Sequence, residues 1–333
     1  MLSENRMRWQ FQPGHYEAWY ATLSQLATRT GFWIRYTLSS PEETHGNPSG
    51  RVWFARFDPE DSARSFGVNR RFDIIDLESH EDPFSLRIGD CELSDGQMRG
   101  RLDSAERKIE WDLSWSPSPT VHRHLPSVAY VGSWADTRVL SPNLNVAVSG
   151  KIIVDDEQYL FDGDPLGQSH LWGRKHAYRW AWAHLNTFSD RKTVLEALTV
   201  QIRRGPIVVP HLSMMTLHLD GEIIELREPW QLPFVRAQEN VGELVMRATT
   251  PRYRIDLSIT APRESLLMAE YVDPDGDSAY CHHTECGHAT LRIARREGLR
   301  YVPYRTLETE AAHVEWGMRG GDSKVHLRHE AID

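Results

Sequence analysis

The 333-residue chain has only three cysteines, Cys91, Cys281 and Cys286, and this odd count provides no disulfide framework. It also lacks the basic excess of a general nucleic-acid surface, since 38 lysines and arginines face 47 acidic residues and give a net charge of -9. No apolar run is long enough for a transmembrane helix, and the N-terminus lacks the apolar segment of a signal peptide. These absences predict a cytoplasmic protein without nucleic-acid or membrane partners. We expect a monomer or homodimer.

Motifs for phosphate, dinucleotide and nucleophilic-serine chemistry are missing as well. The chain has no glycine-rich phosphate loop, no dinucleotide fingerprint and no Gly-x-Ser-x-Gly elbow. Residues 281–288 do contain two cysteines and three histidines, which are ligand types that zinc prefers. If this segment is a strand, however, Cys281 and Cys286 point to opposite faces and cannot bind one ion together. We therefore predict no metal and no cofactor.

The secondary-structure signals that are present are mainly those of β-strands. Residues 31–38 and 50–57 are rich in aromatic and β-branched side chains and are bounded by glycine or proline. Similar short runs recur along the chain at a spacing of roughly ten residues, as in antiparallel sandwiches and barrels. Helix signals are few: residues 24–29 could form one turn and residues 305–312 a short helix. The pattern predicts an all-β fold.

The length of the chain favours about two domains. Residues 162–168, Asp-Gly-Asp-Pro-Leu-Gly-Gln, form the clearest linker-like stretch. The halves on either side, residues 1–165 and 166–333, could each form an up-and-down barrel. A barrel of about eight strands can hold one small ligand.

The most informative segment is residues 169–186, which combines three tryptophans with histidines and an asparagine. Trp180, Trp182, His184 and Asn186 recur at a spacing of two, so in a strand they share one face. A face of indoles and polar groups is typical of a pocket wall, where apolar area holds a ligand and a few polar groups orient it. The alternative is a buried strand whose polar side chains bond to the backbone.

Four motifs, in order along the chain, resemble those of tocopherol cyclase-like proteins and of their carotenoid 1,2-hydratase (CrtC) and AttH relatives. They are Glu17-Ala-Trp-Tyr20 with residues 30–36, the His-x-Trp-Gly of residues 170–173, the Trp-x-Trp strand that ends in Asn186, and Asp273-Pro-Asp-Gly with residues 280–285. The resemblance covers most of the chain.

This resemblance implies two lipocalin-like antiparallel β-barrels in tandem, residues 1–165 and 166–333, with few short helices and a largely apolar ligand site at their junction. Characterised relatives cyclise or hydrate isoprenoid chains. In the hydratase branch, the His and Trp of the His-x-Trp motif belong to the active site, which carries over to His170 and Trp172. That branch also uses a carboxylic acid, which we expect on a later strand.

Protonation of an unactivated double bond requires an acid that stays protonated in a dry pocket, and tryptophan faces can then stabilise the cation. The candidate proton donors are His170, Glu285 and Glu196. The candidate substrate-binding residues are Trp19, Trp172, Trp180, Trp182, His184, Asn186 and His283. Glu17 could act as an acid or form an ion pair with Arg35.

We therefore expect a cofactor-independent cyclase, hydratase or isomerase that uses acid catalysis on a hydrophobic isoprenoid or polyketide substrate. The alternatives are a lipocalin-like carrier that binds such a molecule without chemistry, and a scaffold whose site has decayed. A carboxyl group inside the cavity distinguishes the enzyme from the carrier.

Overall fold

The computed structural model describes residues 3–132, 135–320 and 327–332. Within these residues, regular structure consists of strands and of 3-10 helices of three or four residues, which confirms the all-β class. The strands of the first half are β1 (His15–Gln25), β2 (Thr30–Ser40), β3 (Ser49–Phe57), β4 (Phe66–Asp73), β5 (Leu77–Glu81), β6 (Phe84–Ile88), β7 (Cys91–Ser94), β8 (Gln97–Asp103), β9 (Lys108–Trp115), β10 (His122–Arg123), β11 (Thr137–Val154) and β12 (Glu157–Gly173). Those of the second half are β13 (Arg179–Leu185), β14 (Val194–Gln201), β15 (Arg203–Arg204), β16 (Ile207–Val208), β17 (Leu212–Leu219), β18 (Glu222–Leu226), β19 (Val235–Asn240), β20 (Glu243–Thr249), β21 (Tyr253–Thr260), β22 (Leu267–Val272), β23 (Ser278–Glu297), β24 (Arg300–Met318) and β25 (Leu327–Ile332). The 3-10 helices are Ser62–Arg64, Ile74–Asp76, Ser127–Tyr130, Leu232–Phe234 and Arg263–Ser265.

The strands predicted at residues 31–38 and 50–57 are confirmed as parts of β2 and β3. The helix predicted at residues 305–312 is wrong, because this segment lies inside β24 and pairs with β23. A long antiparallel ladder outweighs a weak local helix preference. No helix of the described residues is long and apolar enough to cross a membrane.

Each half of the chain forms an antiparallel sheet. In the first sheet the strands pair in the order β4-β3-β2-β1-β12-β11-β9-β8-β7-β6-β5, and β10 also pairs with β11. In the second sheet the order is β18-β17-β14-β13-β24-β23, and β23 continues to β22 at its start and to β21, β20 and β19 at its end.

Strand β25 joins the two sheets, because it pairs in parallel with β4 of the first and β22 of the second. The result is one continuous hydrogen-bonded sheet of 23 strands, with β15 and β16 as a separate ribbon.

The expectation of closed barrels requires correction. Among the described strands, β4 pairs with β3 and β25, β5 with β6, β18 with β17 and β19 with β20, so neither sheet closes into a barrel. The outer edge of β4 is already occupied by β25, which leaves no free edge for β5 at residues 67–70. In the second sheet, a segment with the 3-10 helix Leu232–Phe234 separates β18 from β19.

Three clusters of buried apolar side chains hold this architecture together. One lies inside the first sheet, one inside the second, and the third between the two sheets. The central strands β1, β2, β13 and β14 are therefore buried on both faces. On β13, Ala181 and Ala183 pack in the second-sheet core, while Trp180 and Trp182 face the junction. The shared face predicted for the tryptophans is confirmed.

The linker expected at residues 162–168 is wrong, because the whole stretch lies within β12. Leu166 packs in the first-sheet core and pairs with Leu23 of β1. Apolar burial and ladder hydrogen bonds thus hold a sequence rich in aspartate and glycine in an extended conformation. The division at residue 165 stays a prediction.

Gly31 sits where the two sheets touch. A Cβ atom at this position would lie 2.3 Å from the Cβ of Glu285 on β23. We expect Gly31→Ala to push the sheets apart and to lower the free energy of unfolding by about 1–3 kcal/mol, the usual cost of overpacking. Urea unfolding measures this change, with Ser39→Ala on the same strand as the control. Equal stability of the Gly31 variant and wild type would contradict the contact.

Candidate active site

A cavity of about 1500 Å³ lies at the junction of the two sheets. Apolar and aromatic side chains from both sheets form its inner wall: Tyr20 and Leu171 from the first, and Trp180, Trp182, Leu198, Val200 and Met214 from the second. Charged residues line its rim, where Lys175 pairs with Asp275 and Asp277. An apolar interior with a small number of polar groups is the usual form of a small-molecule site.

Strand alternation decides which polar side chains reach this cavity. On β2, Ile34 and Tyr36 belong to the first-sheet core, so Arg35 between them faces the junction. On β24, Val314 and Trp316 belong to the second-sheet core, so Glu315 faces the cavity. β2 and β24 each pack an apolar face against the core of their own sheet. Arg35 and Glu315 therefore project from different sheets into the same cavity.

Glu315 is a buried carboxyl group of the cavity wall and is only 8% exposed. Burial raises the pKa of Glu315 to about 7, although the charge of Arg35 and hydrogen bonds from Cys281 and Trp180 act in the opposite direction. A carboxyl group with a pKa near the working pH can both donate and recover a proton. Glu315 is therefore suited to general acid chemistry.

His176 also lines the cavity, and Asp273 orients it. Its Nδ1 lies 2.6 Å from the Asp273 carboxylate, which also bonds to Arg319. Burial lowers the pKa of His176, against the opposing effect of Asp273, so the ring is neutral near pH 7. Its Nε2 has no hydrogen-bond partner among the described residues. The ring stacks on Tyr16 and Tyr271, with centroids 4.5 and 5.1 Å away. The arrangement leaves Nε2 free to accept a proton.

Arg35 brings a positive charge into the cavity wall and is only 3% exposed. Its Nε donates to Oγ1 of Thr37 at 3.1 Å. The guanidinium carbon lies 4.3 Å from the centroid of the Tyr271 ring. The ring stabilises the cation from one side but does not neutralise its charge.

Of the residues predicted from the sequence, Trp180 and Trp182 line the cavity, and His184 and Asn186 do not. Nδ1 of His184 bonds to Glu196, whose other oxygen accepts from Nε1 of Trp182 at 2.9 Å. The side-chain amide of Asn186 donates to Asn145 at 3.2 Å. The predicted face is thus part cavity wall and part buried hydrogen-bond network.

Glu285 and His283, both on β23, lie in a second buried network at the junction. His313 bonds to Glu285, and Nε2 of His283 lies 2.9 Å from Nε2 of His329. The His283 ring centroid is 4.8 Å from that of Trp33. Burial raises the pKa of Glu285 to about 7. Neither Glu285 nor His283 is a lining residue of the cavity.

Trp19, His170 and Trp172 lie on the other face of the first sheet. Trp19 and His170 are register partners on β1 and β12, and their ring centroids are 4.8 Å apart. The Trp172 ring lies 4.9 Å from His170. Leu171 lies between His170 and Trp172 on β12, and its side chain is the one that reaches the cavity. Strand alternation therefore turns the His-x-Trp pair away from the cavity.

Glu17 forms part of the same buried group, and it pairs with His15 and His170 instead of Arg35. Its carboxylate lies 3.2 Å from Nε2 of His15 and 2.7 Å from Nε2 of His170. Nδ1 of His170 donates to the backbone carbonyl of Glu4 at 2.8 Å. Burial acts to raise the pKa of Glu17, but the two histidine hydrogen bonds outweigh it and lower that pKa.

One group of described side chains has ligand atoms close enough to suggest a metal ion. Atoms of His122, His124 and Glu196 lie within 4.8 Å of one another. Two of these three ligands already have protein partners, because Nε2 of His124 lies 2.8 Å from Oγ of Ser141 and Glu196 accepts from Trp182. Nδ1 of His124 lies 3.5 Å from a carboxylate oxygen of Glu196, so this pair is spaced as two ligands of one zinc ion would be, each about 2.1 Å from the metal. The expectation that no metal is needed stays a prediction.

Sequence reasoning did not single out Glu315, His176 or Asp273. A signal existed for two of them, because His176 lies in the 169–186 segment and Asp273 opens the late motif. For Glu315 there was none, since its place opposite Trp182 follows from the register of β13 and β24. A pairing between distant strands is not visible in local periodicity.

Gly317 provides the backbone surface against which a cavity tryptophan packs. A Cβ atom at Gly317 would lie 2.0 Å from the indole of Trp180. We expect Gly317→Ala to displace this ring and to lower the free energy of unfolding by about 1–3 kcal/mol. Introduced into a Trp180→Leu background, the same change should cost less than about 0.5 kcal/mol, because the ring is gone. Equal costs in both backgrounds, measured by urea unfolding, would contradict this packing.

Comparison with known proteins places the chain in a family. The profile described as Tocopherol cyclase-like matches residues 89–318. An uncharacterized protein of Mycobacterium tuberculosis, found in strains CDC 1551 and H37Rv, is 26% identical over an alignment of 328 residues, which covers 94% of this chain and 89% of that protein.

Two crystal structures share the fold. A Nitrosomonas europaea protein assigned as AttH superposes with a TM-score of 0.56 and 13% identity over 92% of this chain and 93% of that one. Kievitone hydratase from Nectria haematococca superposes with a TM-score of 0.53 and 9% identity over 91% of this chain and 89% of that one. Since the family profile spans more than half of its residues, the chain belongs to the tocopherol cyclase-like family.

Proposed function

We propose that the protein is a cofactor-independent enzyme that protonates a double bond of a hydrophobic isoprenoid or polyketide and closes a ring or adds water. The observation that carries this proposal is a buried carboxyl group, Glu315, in the wall of a large aromatic cavity. A carboxyl group inside the cavity is the feature that distinguishes an enzyme from a carrier. Its presence favours the enzyme.

The first step is proton transfer from Glu315 to one carbon of the double bond. The π electrons form the new C–H bond, the neighbouring carbon becomes a cation, and Glu315 becomes a carboxylate. The aromatic faces of Trp180 and Trp182 lower the energy of this cation, because ring faces attract positive charge by about 2 kcal/mol or more in a dry site. Exclusion of water by the apolar wall strengthens each of these electrostatic effects.

The second step is attack on the cation by an oxygen. A hydroxyl group of the substrate closes a ring, whereas a water molecule gives a hydrate. His176 accepts the proton that this oxygen releases, because its Nε2 is free and Asp273 holds the proton on Nδ1. Trp180 lies beside both groups: its indole acts to lower the pKa of Glu315, and its ring stacks on that of His176, 5.6 Å away. Solvent then returns a proton to Glu315 and removes one from His176.

We place proton donation at Glu315 instead of His170, Glu285 or Glu196. Those three side chains are tied into buried pairs, and none of them is a lining residue of the cavity. In this proposal they support the walls: Glu196 holds Trp182 in place through its indole N–H. His170 likewise holds the segment before β1 in place, because its Nδ1 donates to the backbone carbonyl of Glu4.

The family supports the proposal, since the profile that matches the chain is that of tocopherol cyclase-like proteins. One protein of the same fold is a hydratase by name. We propose in addition that the substrate is hydrophobic and that two lipocalin-like units meet near residue 165, with the site at their junction. We propose that the protein is cytoplasmic and is a monomer or homodimer.

Incubation in D₂O with a prenylated quinol and, separately, with a linear carotenoid tests the function. We expect an isomer or a water adduct that carries one non-exchangeable deuterium at the protonated carbon, detected by mass spectrometry and NMR. Substrate that binds tightly in native mass spectrometry yet is recovered unchanged and undeuterated would favour the carrier instead.

A further inference from the structure

Arg35 is a buried cation that has no carboxylate partner. No carboxylate oxygen of the described residues lies within 4.0 Å of its guanidinium, and its one described hydrogen bond uses Nε. Burying a charge without a counter-charge is costly, and proteins usually pair or neutralise such groups. In a cavity-lining residue, this points to a partner that comes with the ligand.

The other cations around the cavity are either paired or exposed: Arg174 and Arg204 pair with Asp136, and Arg203, which has no ion pair among the described residues, is exposed. Arg319 pairs with Asp273, and Lys175 pairs with Asp275 and Asp277 at the rim. The interior therefore offers one uncompensated positive charge. A single charge matches a monoanion, whereas a diphosphate would leave negative charge unpaired in an apolar space.

We propose that the ligand of this cavity is a hydrophobic monocarboxylate, whose carboxylate pairs with Arg35 while its unsaturated chain lies along the wall of Trp180 and Trp182. The nature of the chain rests on the proposed function. Nε of Arg35 is held by Thr37, so the two terminal nitrogens remain for the ligand, and guanidinium and carboxylate form two parallel hydrogen bonds in this geometry. The carboxylate fixes the end of the chain and so determines which double bond reaches Glu315.

Binding of a matched pair of probes tests this inference without any turnover. The probes are cis-parinaric acid, a fluorescent polyene carboxylic acid, and its uncharged methyl ester. We expect the acid to bind at least about tenfold more tightly than the ester to the full-length protein, as a charged hydrogen-bonded pair would give. In Arg35→Gln this preference should disappear through weaker binding of the acid. The surface control Arg247→Gln, with a side chain 62% exposed, should retain it.

Equal binding of the two probes to wild type, binding of neither, or a preference that survives Arg35→Gln would overturn the inference. Thermal unfolding of Arg35→Met provides the second readout. The ligand-free variant should be as stable as wild type or more so, because an unpaired buried cation is replaced by an apolar chain of similar size. A clear loss of stability would mean that Arg35 has a structural role and would also overturn the inference.

The same experiments separate this inference from the proposed function. Glu315→Gln should keep the preference for the acid, because the variant retains Arg35. If the preference depends on Arg35 but no polyene is converted, the binding site stands and the enzyme proposal fails. If a neutral polyene is converted equally well by wild type and Arg35→Gln, the enzyme proposal stands and the carboxylate site fails.

Discussion

Glu315→Gln is expected to lower kcat by at least about a hundredfold, because general acid catalysis typically contributes 10²–10⁴-fold. The amide has nearly the same shape as the acid but cannot give a proton to carbon. KM should change little, since the cavity walls that hold the chain remain. Single-turnover kinetics with whichever substrate is converted in D₂O measures the effect.

Glu285→Gln is the matched control for this variant. Glu285 is also buried, with 1% of the residue exposed against 8% for Glu315, and its pKa is raised in the same way, to about 7, but it lies outside the cavity and bonds to His313. Its replacement should cost far less turnover per folded molecule than that of Glu315. If Glu285→Gln loses the activity and Glu315→Gln retains it, the proton donor has been assigned to the wrong strand.

Acidification is expected to destabilise the fold steeply between pH 7 and 5.5. Burial strongly lowers the pKa of five histidines: to about 3 for His122, His124 and His329, to about 4 for His283, and well below its ordinary value for His313. These groups are neutral in the folded protein and gain a proton on unfolding once the pH is below about 6.5. Stability that depends on such groups is present at high pH and is lost as the pH falls.

Two buried carboxyl groups act in the opposite direction. Burial raises the pKa of Glu285 and Glu315 to about 7, so between about pH 4.5 and 7 they hold protons when folded and release them on unfolding. Near pH 5.5 the five histidines take up about one proton each and the two carboxyls release about one each. Unfolding then takes up about three protons net, which lowers stability by roughly 4 kcal/mol per pH unit.

Urea unfolding at pH 5.5, 6.5 and 7.5 measures this slope. Glu315→Gln should be more stable than wild type at pH 7.5 and above, because the variant has no buried carboxylate to ionise. It should also show a steeper loss on acidification, because one opposing group is gone. A protein whose stability is flat or rises from pH 7 to 5.5 would contradict the neutral, buried state of these histidines.

The parts of the fold that the sequence predicted are those that depend on local alternation. The common face of Trp180, Trp182 and His184 follows from a period of two. The opposite faces expected for Cys281 and Cys286 are wrong, because the register of β23 shifts between Thr284 and Gly287 and both cysteines pack in the cluster between the sheets. The helix predicted at residues 305–312 failed because the ladder between β23 and β24 outweighs local preference. The expectation of closed barrels was wrong for the first sheet because β25 pairs with the outer edge of β4.

The site was harder to predict because each of its polar groups is positioned by a partner distant in sequence. Glu315 reaches the cavity through the pairing of β24 with β13, and His176 is oriented by Asp273 from the loop after β22. For His170, too, the local sequence did not reveal which face of the strand carries the side chain. Its motif suggested a pocket, but only the register of β12 with β1 reveals that Leu171, and not His170, faces the cavity.

The central claim is that Glu315 remains protonated close to neutral pH inside the cavity. A ¹³C NMR titration of protein labelled at the glutamate carboxyl carbons measures this directly, with the Glu315 signal identified by its absence in Glu315→Gln. The account predicts a titration midpoint near pH 7 for that signal. A midpoint near 4.5, the ordinary value for a glutamate side chain, would contradict it.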